Sequence, residues 1–206
     1  KDYDVGNKKE VTNTLTYVLK YFLALGVPAV FGLSILSKPI LTVLTTPELA
    51  ANGYLVTPIA ALSFLLFGIY AILMRFFVFE KKTEFLAKVW IYAAVINFVL
   101  NIIFIPFFGI MGAAFTTLCA FAFAVFMGEY FSSGLLRSRQ IQLFTVQSLI
   151  ASLLMSLLIY MIKPSGIIQI GVTVLTGVAV YFLALVFMKA FSKREIQFFK
   201  SLILCR

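Results

Sequence analysis

The sequence predicts an all-α membrane protein of about six transmembrane helices. Three observations predict it. Hydrophobic residues make up 62% of the 206 positions, against 12% charged. Soluble domains run nearer half apolar and a quarter charged, so part of the solvent around this chain must be lipid. The apolar residues fall in blocks of spanning length, and the basic residues cluster at the ends of those blocks.

A span needs about 20 mostly apolar residues. The first block runs from about Leu15 to Leu36 and the second from about Leu55 to Phe79. No charge occurs between Lys88 and Glu129, which is too long for one span. Ile105-Pro106-Phe107-Phe108-Gly109 breaks it, because proline and glycine together favour a turn. Helix three therefore covers about Phe85 to Ile105, and helix four about Gly109 to Phe131. Helix five covers about Leu143 to Ile162, and helix six about Ile167 to Met188. Lys163-Pro164-Ser165-Gly166 joins them tightly. The apolar stretch Lys38-Pro39-Ile40-Leu41-Thr42-Val43-Leu44 is too short to span and reads as a short helix lying at the outer surface.

With six spans the loops alternate sides. Of 17 Lys and Arg residues, 15 then fall on one side, leaving Lys38 and Lys163 on the other. The positive-inside rule makes the crowded side cytoplasmic, with both ends of the chain there, in the cell membrane. The net charge of +9 follows span ends rather than a nucleic-acid footprint. The domain reading is a cytoplasmic segment at 1–14, four helices at 15–131, a basic loop at 132–142, two more helices at 143–188, and a basic amphipathic tail at 189–206. In that tail Phe191, Phe198, Phe199, Leu202 and Ile203 share one helical face, which suits an interfacial helix on anionic lipid.

Several chemistries are excluded. There is no histidine, and the two cysteines, Cys119 and Cys205, stand far apart, so no metal site is expected. No glycine-rich phosphate loop is present. No nucleophile stands with a base, and no cofactor is implied.

Polar and small residues within spans are the candidate functional positions. Asn97 and Asn101 share a face of helix three, as interhelical glue or as the lining of a polar cavity. Arg75, in helix two, either snorkels to headgroups or holds a phosphate, and Lys20 has the same two options. Glu129 suits pairing with a basic residue or relaying a proton. Gly112, Thr116, Ala120, Ala124 and Gly128 recur every four residues along helix four. Such a stripe lets helices approach closely in lipid, and would also form a seam that could slide.

The stretch from Asn97 to Leu118 resembles the "N-x3-N … IP-x-FGI-x-GAA-x-xT" pattern of Wzx-like polysaccharide transporters. These are lipid-linked oligosaccharide flippases of the multidrug/oligosaccharidyl-lipid/polysaccharide superfamily. Lys81-Lys82-Thr83, Pro28 with Gly32-Leu33, Ser37-Lys38-Pro39-Ile40, and Tyr54 to Pro58 also match the family's order, over about Asp4 to Phe131. The resemblance implies a partial second lobe of a two-lobed transporter with 12 to 14 helices. It implies an internal start at Lys1 and a missing N-terminal lobe as partner. It implies transport of an undecaprenyl- or dolichyl-diphosphate-linked oligosaccharide by alternating access, with Arg75, Lys20, Asn97 and Asn101 as candidate substrate contacts. The rivals are a drug or cation antiporter of the same superfamily, a membrane-embedded polysaccharide-assembly enzyme, and a scaffold.

Overall fold

The computed structural model describes residues 8–132, 134–164, 166–191 and 195, with the side chains of 8, 9, 47 and 52 left aside. Its elements are α1 (Lys8–Leu44), α2 (Pro47–Gly53), α3 (Val56–Phe79), α4 (Thr83–Phe131), α5 (Arg139–Ile162) and α6 (Ile167–Phe187). No strand occurs among the described residues. Five of these helices are long and apolar enough to cross a membrane.

One of the five, α4, crosses twice. At 49 residues a straight helix would run roughly 74 Å, far beyond a hydrocarbon core of about 30 Å. Its backbone leaves helical geometry at Gly109 (φ 55°, ψ −133°), a conformation that essentially only glycine tolerates. The arms then run side by side. Phe85 and Phe131, at opposite ends of the element, lie with ring centroids 5.1 Å apart. Phe104 and Phe115 lie 5.6 Å apart across the bend. The turn expected at 105–109 is therefore present, and the chain makes six crossings.

The outer-surface helix expected from Lys38 to Leu44 is corrected. That segment continues α1, which holds Pro28 and Pro39 inside it. A proline removes one backbone hydrogen bond, whereas ending the helix inside lipid would strand several, so the helix runs on through both. The short helix comes later, as α2. Pro47 opens it, Thr46 precedes it in extended geometry, and Glu48 stands in the first turn. The helix α5 starts at Arg139 rather than near Leu143, because the Ser138 hydroxyl caps it by accepting from Ile141 N at 3.3 Å. Lys163 ends α5 in the left-handed conformation (φ 47°). The expected tail face at 198–203 lies outside the described residues.

The hub of the bundle is α1, packing on α3 along one side and on α5 and α6 along the other, while α4 packs on α3. Leu19, Leu23 and Val27 are buried in this hub. Glycines set the closest approaches. A Cβ at Gly68 would overlap the Phe22 ring, and one at Gly26 would lie 2.6 Å from Leu65 Cδ1. On the other flank, a Cβ at Gly177 would come within 3.1 Å of Ile159. Ser148, Ser152 and Ser156 are all buried on one face of α5, and Ser148 shares a 2.8 Å hydrogen bond with Tyr181. This serine stripe is a second small-residue seam, which sequence reading overlooked in favour of the one in α4. Driven by packing rather than by water, lipid-embedded helices need such seams. Large apolar side chains such as Phe98, Ile102 and Phe107 point outward, as a lipid-facing surface permits.

Candidate functional site

The asparagines of the first α4 arm face the second arm. Asn101 Nδ2 donates to Asn97 Oδ1 at 3.0 Å. The Thr116 hydroxyl donates to Asn101 Oδ1 at 2.5 Å, and Asn97 Nδ2 reaches Thr117 Oγ1 at 3.5 Å. Thr116 is fully buried, and the Thr117 hydroxyl also donates to Ala113 O at 2.9 Å. These amides satisfy one another inside the hairpin, which is what an apolar surrounding demands of polar groups. Both asparagines remain partly exposed, so the cluster also has an open side.

Gly112, Thr116, Ala120, Ala124 and Gly128 are the buried residues of the second arm. A Cβ at Gly112 would lie 2.7 Å from Phe104 O, and one at Gly128 would lie 2.9 Å from Met74 Cε. The stripe thus meets the first arm near the bend and α3 near the far end. Aromatic contacts complete the α3 face, with Phe67 against Phe121 at 5.2 Å and Tyr70 edge-on to Trp90 at 5.4 Å.

The two candidate cations have different surroundings. Lys20 is 3% exposed and its Nζ donates to both carboxylate oxygens of Glu195 at 2.8 Å. The same ammonium lies 5.2 Å from the Phe144 ring centroid and 5.4 Å from that of Phe191. The Tyr21 hydroxyl donates to Glu195 Oε1 at 3.3 Å. A buried charge is tolerated only with such a partner. Sequence reading missed this partner, and the one available signal was a lone acidic residue amid the basic run Lys193, Arg194 and Lys200. Arg75 is exposed and has no carboxylate partner among the described residues, although its neighbours Met74 and Phe76 are buried. Its guanidinium is therefore free for an anion or for headgroups. Glu129 has no basic side-chain partner among the described residues: it accepts backbone N–H bonds from Leu136 at 3.1 Å and Arg137 at 3.2 Å, tying down the loop after α4.

Residues 2–103 match the MatE family model. That span covers the described parts of α1 to α3 and most of the first α4 arm, and it ends before Pro106. The chain is also 24% identical over 178 residues to the "Probable low-salt glycan biosynthesis flippase Agl15" of Haloferax volcanii. That alignment covers 84% of this chain and 38% of the relative, so the chain spans well under half of the protein it matches. A multi-pass helical membrane architecture and these two matches agree in indicating a transporter rather than an enzyme. Both matches support a flippase-like protein of the multidrug/oligosaccharidyl-lipid/polysaccharide superfamily.

Proposed function

We propose that the chain is part of a flippase that carries a polyprenyl-diphosphate-linked oligosaccharide across the cell membrane for glycan or polysaccharide assembly. The observation that carries this reading is the likeness along 84% of the chain to a protein named as a glycan biosynthesis flippase. In this reading residues 15–131 belong to the second lobe of a two-lobed transporter, a first lobe completes the cavity, and α5 and α6 are additional helices. Both ends of the chain face the cytoplasm, the side holding most of the positive charge. Alternating access then follows from one lobe rocking against the other.

Arg75 is the residue best suited to meet the diphosphate. It is a guanidinium without a carboxylate partner among the described residues and exposed on α3 toward the basic end of the bundle. Lys20 is less suited, because Glu195 already neutralises it. Asn97 and Asn101 offer hydrogen bonds to sugar hydroxyls from the open side of their cluster.

The test is loss of the gene in its own host. The expected result is missing surface glycan, with lipid-linked oligosaccharide accumulating on the cytoplasmic leaflet. Intact glycan with raised drug sensitivity would instead establish the antiporter reading and remove this one.

A further inference from the structure

Lys38 and Lys163 are the two basic residues that the six-crossing topology sets apart from the other 15. They are 125 positions apart in sequence, yet the fold brings both to the rim of one cleft of about 580 Å³ between α1 and α5. Both are exposed, and neither ammonium has a carboxylate partner among the described residues. Among the described residues no acidic one lines the cleft, whereas Thr42 and Tyr160 supply hydroxyls. Each ammonium lies over a tyrosine ring, Lys38 at 5.7 Å from the Tyr54 centroid and Lys163 at 5.9 Å from that of Tyr160. Tyrosines at a span end mark headgroup depth, and Lys163 stands where α5 stops.

The cleft adjoins an apolar one. Leu36 and Ile159 line both it and a second cavity of about 280 Å³ enclosed by α1, α5 and α6. A cationic, hydroxyl-bearing mouth above an apolar trough complements an amphiphile with an anionic head. We propose that this cleft is a binding site for a resident acidic phospholipid of the leaflet at this end of the bundle. Its phosphodiester sits between Lys38 and Lys163, and an acyl chain runs into the trough past Leu36 and Ile159. A bilayer phospholipid is the occupant favoured, because the two ammoniums and tyrosines at the span ends complement a phosphodiester head and the adjoining apolar cavity complements an acyl chain. The proposal does not depend on what the protein transports.

The test uses the protein purified from its membrane and placed in nanodiscs with equal phosphatidylglycerol and phosphatidylcholine of matched chains. Retained lipid is then counted by native mass spectrometry. Wild-type protein should retain phosphatidylglycerol in preference to phosphatidylcholine. Lys38→Gln should lower that retention about fivefold, as should Lys163→Asn, and the pair should abolish the preference. Asparagine is chosen at Lys163 because it accepts the left-handed conformation there. Lys38→Arg should keep the preference, and Lys88→Gln, at the opposite end, should not alter it. Unchanged preference in the folded double variant would overturn the proposal. So would displacement of phosphatidylglycerol by equimolar polyprenyl phosphate, which would mark a carrier site, or by millimolar inorganic phosphate, which would mark a site for the free anion.

Discussion

Lys20 Nζ lies 2.8 Å from both carboxylate oxygens of Glu195, a residue 175 positions away, and both side chains are almost fully buried. The pair ties the middle of α1 to the chain that follows α6, under the rings of Phe144 and Phe191.

Removing one partner leaves an uncompensated buried charge, which costs about 3–5 kcal/mol. Lys20→Met and Glu195→Leu should each destabilise the protein on that scale. The double variant should lose much less than the sum, because apolar replacement of both partners leaves no orphaned charge. Thermal unfolding in detergent, run as a double-mutant cycle, measures the coupling. Additive losses would show that the two groups do not interact.

The Asn101–Thr116 bond crosses the α4 hairpin, and such bonds in membranes contribute about 1 kcal/mol. Asn101→Leu and Thr116→Val should each destabilise by about that much. Asn97→Leu with Asn101→Leu should still insert but export less glycan. Export normalised to folded protein decides the role: a loss beyond the loss of folded protein assigns the pair a place in transport, and a proportional one leaves it as glue.

At Gly109 a substitution acts through the backbone alone, since a Cβ there would meet nothing within 4 Å. Gly109→Ala should still cost about 1–3 kcal/mol, the usual cost of holding a side-chain-bearing residue in so sparsely populated a conformation. Unchanged unfolding of that variant would mean that the turn relaxes freely.

At Gly68 the cost is steric. A Cβ there would overlap the Phe22 ring, so Gly68→Ala should cost about 1–3 kcal/mol through overpacking of the α1–α3 joint. Adding Phe22→Leu should restore part of it. Failure of that rescue would place the strain elsewhere.

Arg75→Ala should reduce glycan export more than Arg75→Lys, because both cations attract phosphate while only the guanidinium binds it bidentately. Wild-type export from both variants would reduce Arg75 to a snorkelling anchor.

Much of the fold was legible in residue order. Apolar runs mark the crossings, and Pro106 and Gly109 mark the hairpin. These features are local, because in lipid each helix must satisfy its own backbone and each span end must meet headgroups wherever its neighbours lie. The stretch from Lys38 to Leu44, too short to span by itself, misled for a related reason: it continues α1 through Pro39, because within a helix in lipid continuing is the lesser cost. The rest depended on tertiary structure. Nothing in the order of residues says that Lys20 meets Glu195, that Ser148, Ser152 and Ser156 are all buried, or that Lys38 and Lys163 share a cleft. Such meetings depend on which helices become neighbours and how each is rotated about its axis. Packing decides that, through the fit of Phe22 over Gly68 and of Ile159 beside Gly177, because lipid on every side gives no other preference for one helix face over another.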